Sequence, residues 1–422
     1  MISNTPGYGS QRDIKHNLLM FFIDGVVFTP SMTLISISAV IPYFLAQLGA
    51  TTFQIALAAS LTLVCNFVSQ PFFGYLATHS IAMNKTFGKI LLTQRLIFLA
   101  FVLCIPILSG SSSLLIWMFM VFWGLFNIFV GSYSVFYTPL MLKLLPPDKR
   151  GAIRGMGFAT GACLGLGAAA LIPVILGNVS FPHNYTIIFT LGILFLLTDA
   201  FIFFYMRQHE HVTPNHPMNI VQYVREMPSS IRENAPFRAM ILTCMFLVVA
   251  NSLLPYYTLY AIRIYSATES HIAALAALAV FSNAVSHIAV GIIADRWGSK
   301  ATSIISASLV ILAGLLALVI NSLSFLFVAW VLANLGSTAY NLTVSLLIGE
   351  VSPPAKLPLY VGVQTTISLA LSSVVLLLLA PAMESISFVL LFATVFVCGV
   401  SSLSINMLVL RKHLAKSAIK RQ

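Results

Sequence analysis

The chain has 422 residues, of which 59% are hydrophobic and only 8% charged. Soluble domains carry roughly a quarter charged residues, so water is not the main solvent of this chain. Its net charge of +11 is divided among short loops and the two ends. This distribution marks membrane topology and speaks against a nucleic-acid partner.

Taken in chain order, apolar runs long enough to cross a hydrocarbon core of about 30 Å as helices recur twelve times. The first six lie near residues 18–45, 53–77, 89–109, 114–142, 155–178 and 185–206. The other six lie near 237–262, 270–293, 302–321, 324–349, 358–382 and 387–410. The alternating strands of about ten residues that build a membrane barrel are absent. The first run is too long for a cleavable signal and ends without a small-residue cleavage site, so it reads as helix one.

Basic residues crowd every second loop. Arg12 and Lys15 precede the first run, and Arg411, Lys412, Lys416, Lys420 and Arg421 follow the last. Lys85, Lys149, Arg150, Arg154, Arg207, Arg225, Arg232, Arg238, Arg296, Lys300 and Lys356 lie in loops on the same side, and Arg263 is the main exception. The positive-inside rule then places both termini in the cytoplasm of a multi-pass protein of the cell inner membrane. Cys65, Cys104, Cys163, Cys244 and Cys398 fall inside the runs and read as packing residues. Their spacing fits neither a disulfide framework nor a zinc site. A P-loop is also missing, which argues against direct drive by ATP. No cofactor or metal is expected.

The longest polar stretch, near the middle, separates two halves that match. The reading is an N-terminal six-helix bundle over 1–206, a cytoplasmic linker over 207–235 and a C-terminal six-helix bundle over 236–422. "NFVSQPFFGYLAT" at 66–78 aligns without gaps to "NAVSHIAVGIIAD" at 283–295. Asn66, Ser69, Gln70, Gly74 and Ala77 thereby meet Asn283, Ser286, His287, Gly291 and Ala294. Further on, Asn127 meets Asn334, Tyr133 meets Tyr340, Pro146 and Pro147 meet Pro353 and Pro354, and Gly155 meets Gly362. Helices one and seven share Pro30 with Pro255 and Thr33 with Thr258.

Such a parallel duplication, together with "GIIADRWGSK" at 291–300, resembles the major facilitator superfamily, whose loop signature is GxxxDRxGRK. Gly291, Asp295, Arg296, Gly298 and Lys300 match it, and Ser299 stands where a base is usual. The first-half copy keeps Gly74, Gly88 and Lys89 but has Thr78 at the acidic position. The resemblance implies an all-α membrane protein with twelve transmembrane helices in two pseudo-symmetric six-helix bundles. It also implies a central cavity lined by helices one, four, seven and ten. By the same analogy Asp295 accepts from the amides that open helix five near Arg154 and forms a cytoplasmic gate between the halves. The plainer reading of this loop is a tight charged turn.

Charges inside the runs are expensive and therefore functional candidates. Asp24 in helix one, Arg95 in helix three and Asp199 in helix six lie about 10 Å from the cytoplasmic boundary at 1.5 Å per residue. Arg95 is expected to pair with one or both acids. One reading is a closed ion pair that ties helices one, three and six. The other uses the surplus carboxylate, with Asp24 preferred, to bind a proton reversibly or to meet a cationic substrate. His287 shares a face of helix eight with Asn283 and Gly291. It reads either as a neutral packed histidine or as a further coupling residue.

Candidates for substrate binding are Asn127, Tyr133 and Tyr137 in helix four, Asn251 and Tyr256 in helix seven, and Asn334, Tyr340 and Asn341 in helix ten. Rich in aromatic faces and amides, this set suits an uncharged, zwitterionic or amphipathic solute. Tyr257 and Tyr260 fit an interfacial belt as an alternative. The family's drug antiporters carry an arginine in helix four and a GPxxGG element in helix five. Here Asn127 precedes Gly131, and "GMGFATGACLGLG" lacks the proline. Gly157, Gly161 and Gly165 let helix five pack closely on a neighbour, the other half being one option. In the linker, Ile220, Val221 and Val224 suit a short helix on the membrane surface, with a flexible tether as the alternative.

The leading expectation is a monomeric secondary transporter, embedded in lipid, that moves a small organic solute by alternating access with coupling to protons. The alternative is export of amphipathic drugs or lipids. A membrane-embedded enzyme or a transport-dead sensor is a weaker third reading, because the polar positions repeat symmetrically instead of gathering acid and base in one half.

Overall fold

A computed structural model describes residues 10–36, 40–208, 219–267, 269–319, 322–382 and 388–407. The C-terminal basic cluster, the first part of the linker and the end of the twelfth apolar run lie outside the described residues. Among those described, every regular element is helical, as lipid requires: a backbone without water must satisfy its own hydrogen bonds.

The first eight helices are α1 (Gln11–Leu34), α2 (Val40–Gln47), α3 (Thr52–His79), α4 (Met83–Ile107), α5 (Ser112–Val130), α6 (Ser132–Leu144), α7 (Arg150–Asn178) and α8 (His183–Tyr205). They are followed by α9 (Ile220–Glu233), α10 (Ala235–Ser252), α11 (Pro255–Tyr265), α12 (Glu269–Leu318), α13 (Leu323–Val351), α14 (Leu357–Ala382) and α15 (Phe388–Ile405). Among the described residues, ten stretches are long and apolar enough to cross a membrane. One of them, Leu278–Leu318, holds both predicted helices eight and nine.

The expected loop between those two helices is a break within α12, confined to Gly298 at φ +77° and ψ −179°. Only glycine adopts this backbone readily, so the position fixes the residue. Predicted helix seven is likewise observed in two pieces. Its second piece, α11, begins at Pro255, whose missing N–H cannot continue the hydrogen-bond ladder of α10.

The chain divides into two compact units, Met1–Pro146 with Met156–Pro217 and Pro147–Gly155 with Met218–Gln422. In the first unit, Phe44 of α2 is fully buried and its ring lies 4.9 Å from that of Tyr185 and 5.4 Å from that of Phe189. Apolar burial contributes little between helices in lipid, so interlocked rings and close backbone approaches hold the bundle. A close backbone approach joins α1 and α7. A Cβ added at Gly25 would lie 2.8 Å from the carbonyl carbon of Gly157, and one added at Gly157 would lie 2.8 Å from the carbonyl oxygen of Phe22. Gly161 faces Gly25 and Thr29, and Gly165 faces Thr33. The glycine stripe of predicted helix five therefore packs on helix one of its own unit, which corrects the option that it packs across the halves.

The C-terminal end of α8 is closed by buried amides. Asn84 Nδ2 donates to the Met206 carbonyl at 2.8 Å, and Asn17 Nδ2 donates to that of Arg207 at 2.9 Å. Arg207 Nη1 completes the clasp on Asp13 Oδ1 at 2.8 Å. In the second unit, Tyr257 is 1% exposed and packs between Trp330 and Phe392, at 6.2 and 4.9 Å. Tyr257 is thus a core residue and not part of an interfacial belt.

Candidate functional site

The duplication read in the sequence extends to hydrogen bonds. Trp123 Nε1 donates to the Ala58 carbonyl at 3.1 Å in the first unit, and Trp330 Nε1 donates to that of Leu275 at 2.9 Å in the second. Ala58 and Leu275 lie at the same offset, eight residues before the start of the aligned segment in each half. Four residues on from each tryptophan, Asn127 Nδ2 donates to the Trp123 carbonyl at 2.8 Å, and Asn334 Nδ2 donates to that of Trp330 at 2.9 Å. Asn127 and Asn334 are 1% and 8% exposed. Their amide groups are turned onto their own helices.

Of the three charged candidates within the spans of the first unit, Arg95 and Asp199 form an ion pair. Arg95 Nη2 meets Asp199 Oδ2 at 2.6 Å, with the two side chains 2% and 0% exposed. Arg95 Nε also donates to the Leu196 carbonyl at 3.3 Å, and Nη1 donates to Gln94 Oε1. Gln94 in turn donates to the Phe126 carbonyl at 2.9 Å. The guanidinium is thus held at three points, which matches its planar fork of donors.

Asp24 is 0% exposed and shares a flank of α1 with Phe21 and Phe28, three residues before and four after. Phe21 lies 5.6 Å from Tyr137, Phe28 lies 5.5 Å from Tyr133, and the two tyrosine rings stack at 5.0 Å. The acid therefore sits on the side of α1 that turns toward the aromatic face of α6. Phe158 of α7 extends this wall, 6.2 Å from Phe28. None of these three phenylalanines was legible as a site residue, because phenylalanine is common throughout the spans.

In the second unit the candidates have differing surroundings. Tyr340 is 7% exposed and its hydroxyl bonds to Ser368 and Gln364 of α14. Gln364 Nε2 also donates to Ser368 Oγ at 2.9 Å. Sequence reasoning missed these α14 groups, since nothing marks the helix as facing Tyr340. Asn251 lines a small cleft with Tyr257, Val310 and Ala333. Tyr256 is buried, Asn341 is exposed and His287 is half-buried.

In the signature loop a carboxylate caps the start of α7. Asp295 accepts from the backbone amides of Gly151 at 2.8 Å and Ala152 at 2.7 Å, one on each carboxylate oxygen. These amides open α7 and have no partner within their own helix, and a negative charge there is favoured by the helix dipole. Gly291 and Gly151 face one another closely enough that a side chain at either would strike backbone. Arg154 Nη1 adds a bond to Ser345 Oγ at 2.9 Å. Arg296 is exposed and Lys300 half-buried. The Ser299 hydroxyl, in place of the usual base, donates to Glu350 Oε1 at 2.5 Å.

Similar folds occur among solved transporters. A bacterial homologue of the iron transporter ferroportin superposes with a TM-score of 0.72 at 12% identity, covering 92% of this chain and 98% of its own. The fucose:proton symporter FucP of E. coli gives 0.70 at 14% identity, over 95% and 98%. The human organic anion transporter TETRAN gives 0.72 at 14% identity, over 93% and 99%. Likeness at such identities shows a common fold, and cargoes as different as these show that the fold does not name the solute. No curated protein sequence matches the chain. The sequence profile described as Major Facilitator Superfamily matches residues 19–368. A multi-pass helical membrane chain with this profile, an internally duplicated tryptophan–asparagine bonding pattern and a carboxylate-capped signature loop belongs to the major facilitator superfamily.

Proposed function

We propose that this protein is a secondary transporter that moves a small organic solute by alternating access, driven by protons, with Asp24 as the group that binds the coupling proton. One observation carries the reading. Asp24 is a fully enclosed carboxyl on the α1 flank that turns toward stacked aromatic rings. A carboxyl so placed is neutral when protonated and charged when not, and the two forms favour different surroundings. That difference is what ties a proton to a conformational change.

The supporting frame is a monomer of two six-helix halves, 1–206 and 236–422, joined by a linker at 207–235, with both termini cytoplasmic in a cell inner membrane. Asp295, capping Gly151 and Ala152, is the gate residue of that face, with Gly291, Arg296, Gly298 and Lys300 shaping its loop. His287 serves as a second candidate for coupling. Tyr133 and Tyr137 in the first unit, and Asn251, Tyr256, Tyr340 and Asn341 in the second, are the substrate groups. Asn127 and Asn334 contribute their carbonyl oxygens and the second N–H of each amide. The wall of Phe28, Tyr133, Tyr137 and Phe158 favours a second reading, export of an amphipathic solute that lies against aromatic faces.

Proteoliposomes with an imposed pH gradient, screened against pooled metabolites, test the proposal. The Asp24→Asn variant is expected to lose gradient-driven accumulation while keeping solute exchange across the membrane without a gradient. Full accumulation by this variant would remove Asp24 as the coupling site.

A further inference from the structure

The linker contributes a helix whose faces differ from one another. α9 starts with a reciprocal cap, in which the side chain of Asn219 accepts from the Gln222 amide at 2.8 Å and that of Gln222 accepts from the Asn219 amide at 3.0 Å. It belongs to the second unit and packs on α10 and α14. At about 100° per residue, its side chains fall into four sectors.

The first sector is docked. Tyr223 is 0% and Ser230 7% exposed, and on the same side Glu226 Oε2 accepts from Lys356 Nζ at 2.9 Å. Turning past Met227, the second sector is wholly apolar: Ile220, Ile231, Val224, Pro228 and Val221. Ile220, Val221 and Val224 are 40%, 64% and 47% exposed, so the described residues leave them uncovered. The third sector holds Arg225 and Arg232, both exposed. The fourth holds Ser229, Gln222 and Glu233, which are at home in water.

Bundle, apolar strip, arginines and polar residues follow one another in the order met by a helix at the edge of a membrane-spanning bundle. Its apolar strip enters the acyl boundary, its cations sit at phosphate level and its last face meets water. We propose that α9 lies in the headgroup region and binds anionic phospholipid through Arg225 and Arg232. The occupant is lipid because a bilayer always flanks this unit, and because two cations beside an apolar strip complement an acidic headgroup above its acyl chain. Asp24 and the transported solute play no part in this inference, so it stands or falls apart from the transport reading.

The test uses the full-length protein in nanodiscs of phosphatidylcholine alone or mixed with phosphatidylglycerol, with amide hydrogen exchange followed across residues 220–233. Exchange is expected to slow several-fold in the mixed discs, up to about thirtyfold if both arginines act fully. The Arg225→Gln/Arg232→Gln variant is expected to lose this slowing while its thermal unfolding in phosphatidylcholine stays unchanged, because neither residue touches the docked side. Val221→Ser/Val224→Ser should reduce the slowing with the arginines intact. Equal exchange in the two kinds of disc would overturn the proposal. So would slowing that persists in the arginine variant, or slowing produced by inorganic phosphate alone in phosphatidylcholine discs.

Discussion

Replacing Asp199 by asparagine separates a fixed ion pair from a working proton site. Arg95 and Asp199 meet at 2.6 Å with 2% and 0% exposure, so removing one charge strands the other in a medium that solvates it poorly. Breaking such a buried pair costs about 3–5 kcal/mol. With about 2–4 °C of midpoint per kcal/mol as the scale for a unit of this size, unfolding of the first unit should fall by about 6–20 °C. Arg95→Lys should also destabilise, because an ammonium cannot reach Asp199, Gln94 and the Leu196 carbonyl together. The double replacement Arg95→Met/Asp199→Leu removes both desolvation penalties and should recover most of the loss. Thermal unfolding of the purified protein in detergent, read by tryptophan fluorescence, measures all three. If Asp199→Asn leaves the midpoint unchanged, the carboxyl is already neutral at rest. The assignment of the coupling proton to Asp24 would then have to give way to Asp199.

Three further outcomes follow from the packing. Gly25→Ala forces a methyl against the Gly157 backbone and should destabilise by about 1–3 kcal/mol. Gly177→Ala, where nothing lies within 4 Å, should be neutral or slightly stabilising. Asp295→Ala removes the acceptor of two helix-opening amides. It should lower stability by about 1–2 kcal/mol and speed hydrogen exchange at Gly151 and Ala152; unchanged exchange there would deny the cap. Trp123→Phe and Trp330→Phe each delete the duplicated bond, Trp123→Phe also the bond of Nε1 to Thr62 Oγ1 at 3.1 Å, and each deleted bond should cost about 0.5–1.5 kcal/mol. A large effect in only one half would argue that the equivalence of the two bonds is formal and not energetic.

Much of the architecture was legible in the sequence, because the constraint that sets it is local. A backbone in lipid must bond to itself, so apolar length pointed to membrane-spanning helices, and repeated spacing pointed to an internal duplication. The partnership of Asp295 with the amides that open helix five near Arg154 came from the resemblance to the superfamily, beside the plainer reading of a tight charged turn, and not from the loop's own spacing. The break at Gly298 was visible as a glycine, but not as the single residue on which α12 turns.

Partner choice was a different matter. A membrane helix is apolar around most of its circumference, so hydrophobic periodicity, which orients a soluble helix, says little about which face turns inward. Three charges were evident at one depth, but only the rotation of α4 against α8 gave Arg95 to Asp199 and left Asp24 on the aromatic side of α1. The glycines of α7 announced a close neighbour without naming α1. Gln364 and Ser368 became relevant only once α14 was seen beside Tyr340. Composition and spacing are properties of one chain segment at a time, whereas these contacts join residues far apart in sequence through the mutual rotation and register of packed helices, which no single segment encodes.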